Sequence, residues 1–141
     1  MVTSSLERPI IIAGPCVIES TDILDTIAQH IANISQRNDV KIIFKASFDK
    51  ANRTSIESYR GVGIDRGVEM LADIKSRYGL SITTDIHEAW QAEVVAPVAD
   101  VIQIPALLCR QTDLIVAAAR TGNIVNIKKG QFLSARDMLH A

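Results

Sequence analysis

Five short apolar runs recur along the chain, each followed by polar punctuation and then helical spacing. The first, Pro9 to Ala13, is Ile-rich and continuous and stops at Gly14-Pro15, which predicts a buried strand ending in a turn. Thr21 and Asp22 supply a helix start. Ile23, Leu24, Ile27, Ile31 and Ile34 put one apolar stripe on the helix that follows, up to a break at Asn38-Asp39. The second run, Val40 to Ala46, opens onto a long polar loop that closes at Gly61 and Gly63. Val68, Leu71, Ala72 and Tyr78 make another helical stripe, with Gly79 placed to close it.

Leu80 to Thr84 is the third run. It ends in Asp85-Ile86-His87-Glu88, where Asp85 is placed to cap a short helix from Glu88 to Ala96, stopped by Pro97. The fourth run, Val101 to Ile104, holds one polar residue, Gln103, and is followed by a helix from Thr112 to Thr121 with Gly122 as its stop. The fifth, Ile124 to Ile127, ends at Lys128-Lys129-Gly130, and Ser134 begins a further helix start. Five strand–helix units in sequence, the fifth cut short, predict an α/β fold with a parallel sheet. No Gly-rich dinucleotide fingerprint follows the first strand. The pattern fits the first five units of a (β/α)8 TIM barrel, a single domain over residues 1–141 that breaks off early, since a whole barrel takes about 250 residues. There is no internal repeat beyond this alternation and no low-complexity linker.

Composition narrows the picture. Hydrophobic residues make up 48% of the chain but aromatics only 4%, so the core is built of Ile, Val, Leu and Ala, as in strands covered on both faces by helices. A net charge of −1 lacks the basic excess of a nucleic-acid binder. Met1 to Arg8 is polar and no run approaches a membrane span, so a cytoplasmic protein without signal peptide or membrane segment is expected. Cys16 and Cys109 are too few for a disulfide framework.

In a (β/α)8 barrel the reactive groups gather at the C-terminal strand ends. Cys16, Lys45, Asp85, His87, Gln103 and Lys128 all fall there. Lys45, Lys50, Arg53 and Lys128 together suit a site for more than one anionic group, with Arg taking phosphate in a bidentate way and Lys as a point charge. Any one of them alone reads as surface charge, but Lys45 and Lys128 adjoin apolar strands, where a charge seldom lacks a partner. Cys16 reads as a buried small hydrophobe, with ligation of a soft metal left open by its turn position. His87 is open between general base, ligand and first helical residue. Gln103 needs a hydrogen-bond partner, either a ligand or backbone. Cys109 reads as structural, and Trp90 and Tyr59 as packing residues.

Several segments together resemble the 3-deoxy-D-manno-octulosonate 8-phosphate synthases, continuously from about Ile11 to Asp137. They are Ala13-Gly14-Pro15-Cys16 with Glu19-Ser20, the run Phe44 to Ser55 that contains Lys50-Ala51-Asn52-Arg53-Thr54, Thr83 to Glu88, Gln103 to Ala106, Leu108 to Leu114, and Asn126 to Phe132. The related heptulosonate 7-phosphate synthases share the barrel, but the Lys-Ala-Asn-Arg run points to the octulosonate enzymes. The resemblance implies a cytoplasmic enzyme of lipopolysaccharide precursor synthesis that condenses phosphoenolpyruvate with D-arabinose 5-phosphate and releases phosphate. It implies phosphoenolpyruvate contacts from Lys45, Lys50 and Lys128, with Ser47 and Gln103 nearby. Asn52, Arg53 and Thr54 are implied for the sugar phosphate, and Asp85 and His87 at the reacting centre with Lys50.

Arg110 matches a residue that reaches into a neighbouring subunit's site, which implies a homo-oligomer. Cys16 matches the metal-dependent class, which implies a divalent metal (zinc, iron or manganese) whose other ligands, a His, a Glu and an Asp, come from later strands. In the family pattern those three ligands lie beyond Ala141, so the metal site is expected to be incomplete within this chain, and a further phosphate-binding Arg lies beyond it too. The alternatives are an inactive barrel fragment that binds only phosphoenolpyruvate or a partner chain, and the heptulosonate synthase reaction.

Overall fold

The computed structural model describes residues 10–37 and 40–140. The Asn38-Asp39 break, Pro9 and the Met1 to Arg8 segment lie outside the described residues. Five strands form one parallel sheet in chain order: β1 (Ile10–Ala13), β2 (Lys41–Lys45), β3 (Ser81–Asp85), β4 (Val101–Ile104) and β5 (Ile124–Ile127). Between them run α1 (Thr21–Arg37), α2 (Ile64–Tyr78), α3 (Gln91–Val95) and α4 (Thr112–Arg120). This is the α/β arrangement of the first five βα units of a partial TIM barrel. No described helix is long and apolar enough to cross a membrane.

Alternation along each strand sorts the two faces of the sheet. Ile42, Phe44 and Ile82 turn toward α1 and α2 in one buried cluster with Leu24, Ala28, Ile31, Leu71 and Ile74. Ile102 and Ile104 pack with Val95, Leu114 and Ala118 in a second. Phe44 is fully enclosed, and burial of a side chain of that size stabilises by about 2–3 kcal/mol. The opposite face is polar toward its C-terminal end. There Lys45, Thr83, Asp85, Gln103 and Asn126 form a row, because the register pairs Lys45 with Thr83, Asp85 with Gln103, and Gln103 with Asn126.

Three expectations need correction. β1 is not a buried strand: Ile10, Ile11 and Ile12 are 62%, 44% and 43% exposed. Its only partner among the described residues is β2, so it is an edge. The stripe of α1 is centred on Leu24, Ala28, Ile31 and Ala32, while Ile23 and Ile34 lie on its flanks and are exposed. The two alanines let the helix approach the sheet closely. Asp85 does not cap a helix from Glu88. α3 begins at Gln91, whose side-chain oxygen accepts the backbone N–H groups of His87 at 2.7 Å and Glu88 at 3.3 Å. Asp85 is occupied elsewhere.

Other boundaries agree. Gly79 ends α2 in the left-handed conformation, its N–H returned to the Lys75 carbonyl at 3.0 Å. Beyond Ser134 a 3-10 helix covers Arg136–His140, its start tied by Ser134 Oγ and N–H donating to the Asp137 carboxylate while the Asp137 N–H donates back to Ser134 Oγ. Cys109 is buried. Trp90 and Tyr59 are about half exposed and not core residues: Trp90 donates to Glu88 and the Tyr59 hydroxyl to the Ile18 carbonyl.

Candidate active site

The polar row opens into a cavity of about 750 Å³ at the C-terminal strand ends. β2 delivers Lys45 and, just beyond, Ser47; β3 delivers Asp85 and His87; β4 delivers Gln103; the end of β5 delivers Lys128. Lys50 and Asn52 reach the same cavity from the loop between β2 and α2. The strands therefore bring together most of the residues singled out from the sequence.

Lys45 and Asp85 are the centre of this site. The Lys45 ammonium lies 3.2 Å from Asp85 Oδ1 and donates to the Cys16 carbonyl at 3.3 Å and to Ser47 Oγ. Ser47 in turn donates to Asp85 Oδ1. Asp85 Oδ2 lies 3.3 Å from His87 Nε2. Burial alone would push the Asp85 carboxyl up, but the hydrogen bond from His87, the charge of Lys45 and the Ser47 hydroxyl together hold it well below the usual carboxylate range. It is an ionised carboxylate in a buried position. By accepting from Nε2 it fixes the imidazole, and the ring edge of the pair with Phe48 (centroids 6.0 Å apart, planes at 74°) steadies it from another side. Nδ1 of His87 is buried with no hydrogen-bond partner.

Gln103 finds a side-chain partner, its Oε1 accepting from Asn126 Nδ2 at 3.1 Å. Of the cavity's cations, Lys45 faces Asp85 and Arg60 faces Asp49. Lys50 and Lys128 have no carboxylate partner among the described residues. Lys128 thus has no ionic partner among the described residues, and Lys50, held by the Cys16 sulfur and by no carboxylate, is a second cation in the same space.

Cys16 is exposed, and not the buried hydrophobe that its residue type suggests. The Lys50 ammonium donates to its sulfur. That hydrogen bond, with the charges of Lys50, Lys45 and Arg53, outweighs partial burial and lowers the thiol pKa, favouring the thiolate. A thiolate is a soft metal ligand. Among the described residues, however, no group of three or more His, Cys, Asp or Glu gathers to hold a metal ion. They present one soft ligand of an incomplete metal site, beside the cations, carboxylate and imidazole of the cavity.

Arg53, Thr54 and Arg110 do not line the cavity. All three are exposed, and Arg53 Nε donates to the Tyr59 carbonyl at 2.9 Å. Asp49, Arg60 and Asn126 are the additions that sequence reasoning missed. Asp49 and Arg60 stand at the neck of the polar loop, and Asn126 alternates with two apolar residues in β5 just as Gln103 does in β4. That parallel was the readable signal for Asn126.

The sequence profile of the DAHP synthetase I family matches residues 4–141. A 2-dehydro-3-deoxyphosphooctonate aldolase of Helicobacter hepaticus is 58% identical over 132 residues, which are 94% of this chain and 49% of that protein. Those of Fusobacterium nucleatum and Campylobacter jejuni are 56% identical over 138 residues and 53% identical over 136, covering 98% and 96% of this chain and 50% of each relative. The chain spans about half the length of the curated relatives it matches.

Proposed function

The chain belongs to the DAHP synthetase I family, and from that premise we propose that it is the N-terminal part of an enzyme that condenses phosphoenolpyruvate with D-arabinose 5-phosphate and water, giving 3-deoxy-D-manno-octulosonate 8-phosphate and phosphate. The observation that carries this reading is the cavity that joins Lys50 and Lys128, neither of which has a carboxylate partner among the described residues, to the Lys45–Asp85–His87 network. The names of the relatives support the choice of reaction.

Lys50 and Lys128 take the phosphate and carboxylate of phosphoenolpyruvate, with Lys45, Ser47 and Gln103 lining the same pocket. Fixed cations stabilise negative charge as it shifts onto the departing phosphate and cost no reorganisation at the moment of reaction. Asn52, Arg53 and Thr54 hold the sugar phosphate at the outer end of the loop. The enol carbon bonds to the sugar aldehyde, water adds at the former enol-phosphate carbon, and the C–O bond to phosphate then breaks. His87, oriented through Nε2 by Asp85, lines the reacting centre beside these cations. Arg110, exposed, reaches the site of a neighbouring copy in a homo-oligomer. Cys16 supplies one ligand to a divalent metal (zinc, iron or manganese) whose other ligands lie outside the described residues. The protein is cytoplasmic.

The test is phosphate release by the full-length protein that carries this chain, with both substrates and with each omitted. Release that needs arabinose 5-phosphate is expected. Turnover with erythrose 4-phosphate alone would move the assignment to the heptulosonate reaction, and phosphoenolpyruvate binding without turnover would make this a binding fragment. For the metal, Cys16→Ala is expected to lower the bound metal measured by mass spectrometry and to abolish metal-stimulated turnover. Unchanged metal content, with turnover insensitive to chelation, would leave Cys16 without a ligand role.

A further inference from the structure

We infer that Asp49 and Arg60 form a latch that positions Lys50 and the Asn52–Thr54 stretch, a role that rests on the function proposed above. The segment from Ala46 to Gly63 has no helix or extended strand, and long irregular loops in compact folds are commonly functional. Its root is firmly held. Phe48 is buried, its carbonyl accepts the Gly63 N–H at 3.1 Å, and the Ser47 carbonyl accepts the Ile18 N–H at 3.0 Å. Its far part is not: residues 51 to 57 are all exposed.

The latch lies between these two parts. Arg60 Nε donates to Asp49 Oδ1 at 2.8 Å, and Nη2 donates to Oδ2. The Lys50 N–H donates to the Arg60 carbonyl, so backbone and side chains close the neck at the same place. An ordinary exposed ion pair contributes little. This one differs in being bidentate and in closing a loop, so its geometry fixes the direction in which the next residue, Lys50, enters the cavity. Both partners line the cavity. Arg60 also neutralises a carboxylate that would otherwise repel an incoming phosphate.

Two roles for Arg60 are separable. As a latch it acts through Asp49; as a direct ligand it acts without Asp49. Asp49→Asn is expected to raise the KM for the sugar phosphate about tenfold, the scale of one charge-assisted hydrogen bond. Arg60→Ala is expected to cost more, because it also unmasks Asp49, and in the Asp49→Asn background it is expected to add little. Asp49→Asn keeps every tryptic site, so faster cleavage after Lys50 and Arg53 reads loosening of the loop without reference to catalysis. An unchanged KM and cleavage rate in Asp49→Asn would overturn the latch, as would an Arg60→Ala penalty equally large in both backgrounds. Were the unsubstituted protein to show no turnover with the sugar phosphate, the proposed function would fail while the cleavage comparison still decided the latch.

Discussion

Lys45→Met is expected to lower the rate of phosphate release by about two to three orders of magnitude, the loss seen when one preorganised electrostatic group is removed from a reacting centre. Methionine keeps most of the stem's packing and removes only the charge. The ammonium touches Asp85, Ser47 and the Cys16 carbonyl at once, so its loss disturbs the whole inner row. Asp85 would stay buried with only Ser47 and His87 beside it, and its carboxyl pKa would rise. The sign of the stability effect follows. A carboxylate with a depressed folded pKa stabilises the fold above its unfolded pKa, and that stability is lost as pH falls. Lys45→Met should therefore melt lower than the parent at pH 7, with the gap narrowing as pH falls below about 4. A rate within threefold of the parent would remove Lys45 from the reacting centre.

Gly61→Ala should destabilise the protein by about 4 kcal/mol, combining backbone strain with a steric clash that nearby atoms cannot relieve. Gly61 has φ of +133°, and a Cβ there would lie 2.2 Å from the Phe48 carbonyl oxygen and 3.1 Å from Val17 Cγ2. That carbonyl already accepts the Gly63 N–H, so it has no freedom to retreat. The expected fall in melting temperature is about 10 °C or more for a chain of this size. Gly79→Ala is the control. Gly79 is left-handed at φ +64°, with nothing within 4 Å of its would-be Cβ, so it carries backbone strain alone, about 1–2 kcal/mol. Equal losses in the two variants would show that the close approach at Phe48 does not matter.

The sheet was readable because its signal is local. The Val101 to Ile104 and Ile124 to Ile127 runs coincide with β4 and β5 to the residue, since each is a short apolar run bounded by loop residues. Gly79 marked the end of α2 through its backbone freedom. The placement of the site at the strand ends followed from the same alternation. What the sequence hid depends on contacts between distant residues. Lys50 meets the Cys16 sulfur across another unit. Asp49 and Arg60 carry no periodic signal, though they close one loop. Asp85 invited a capping role because its position before a helix matched the local rule, but tertiary demand from Lys45 and His87 prevailed. The exposure of β1 reflects which neighbour it lacks among the described residues, which no window of its own sequence records.

Because the sheet runs in chain order from β1 to β5, with every pairing between consecutive strands, the ribosome delivers each strand after the one it must join. β2 can dock on β1 as soon as α1 has emerged, and each later unit extends a surface already built. Among β1 to β5 no strand inserts between two others, which keeps these pairings local in sequence. Synthesis and assembly of these five strands can therefore advance in the same direction, the growing edge always on the newest strand and β1 remaining the opposite edge among the described residues.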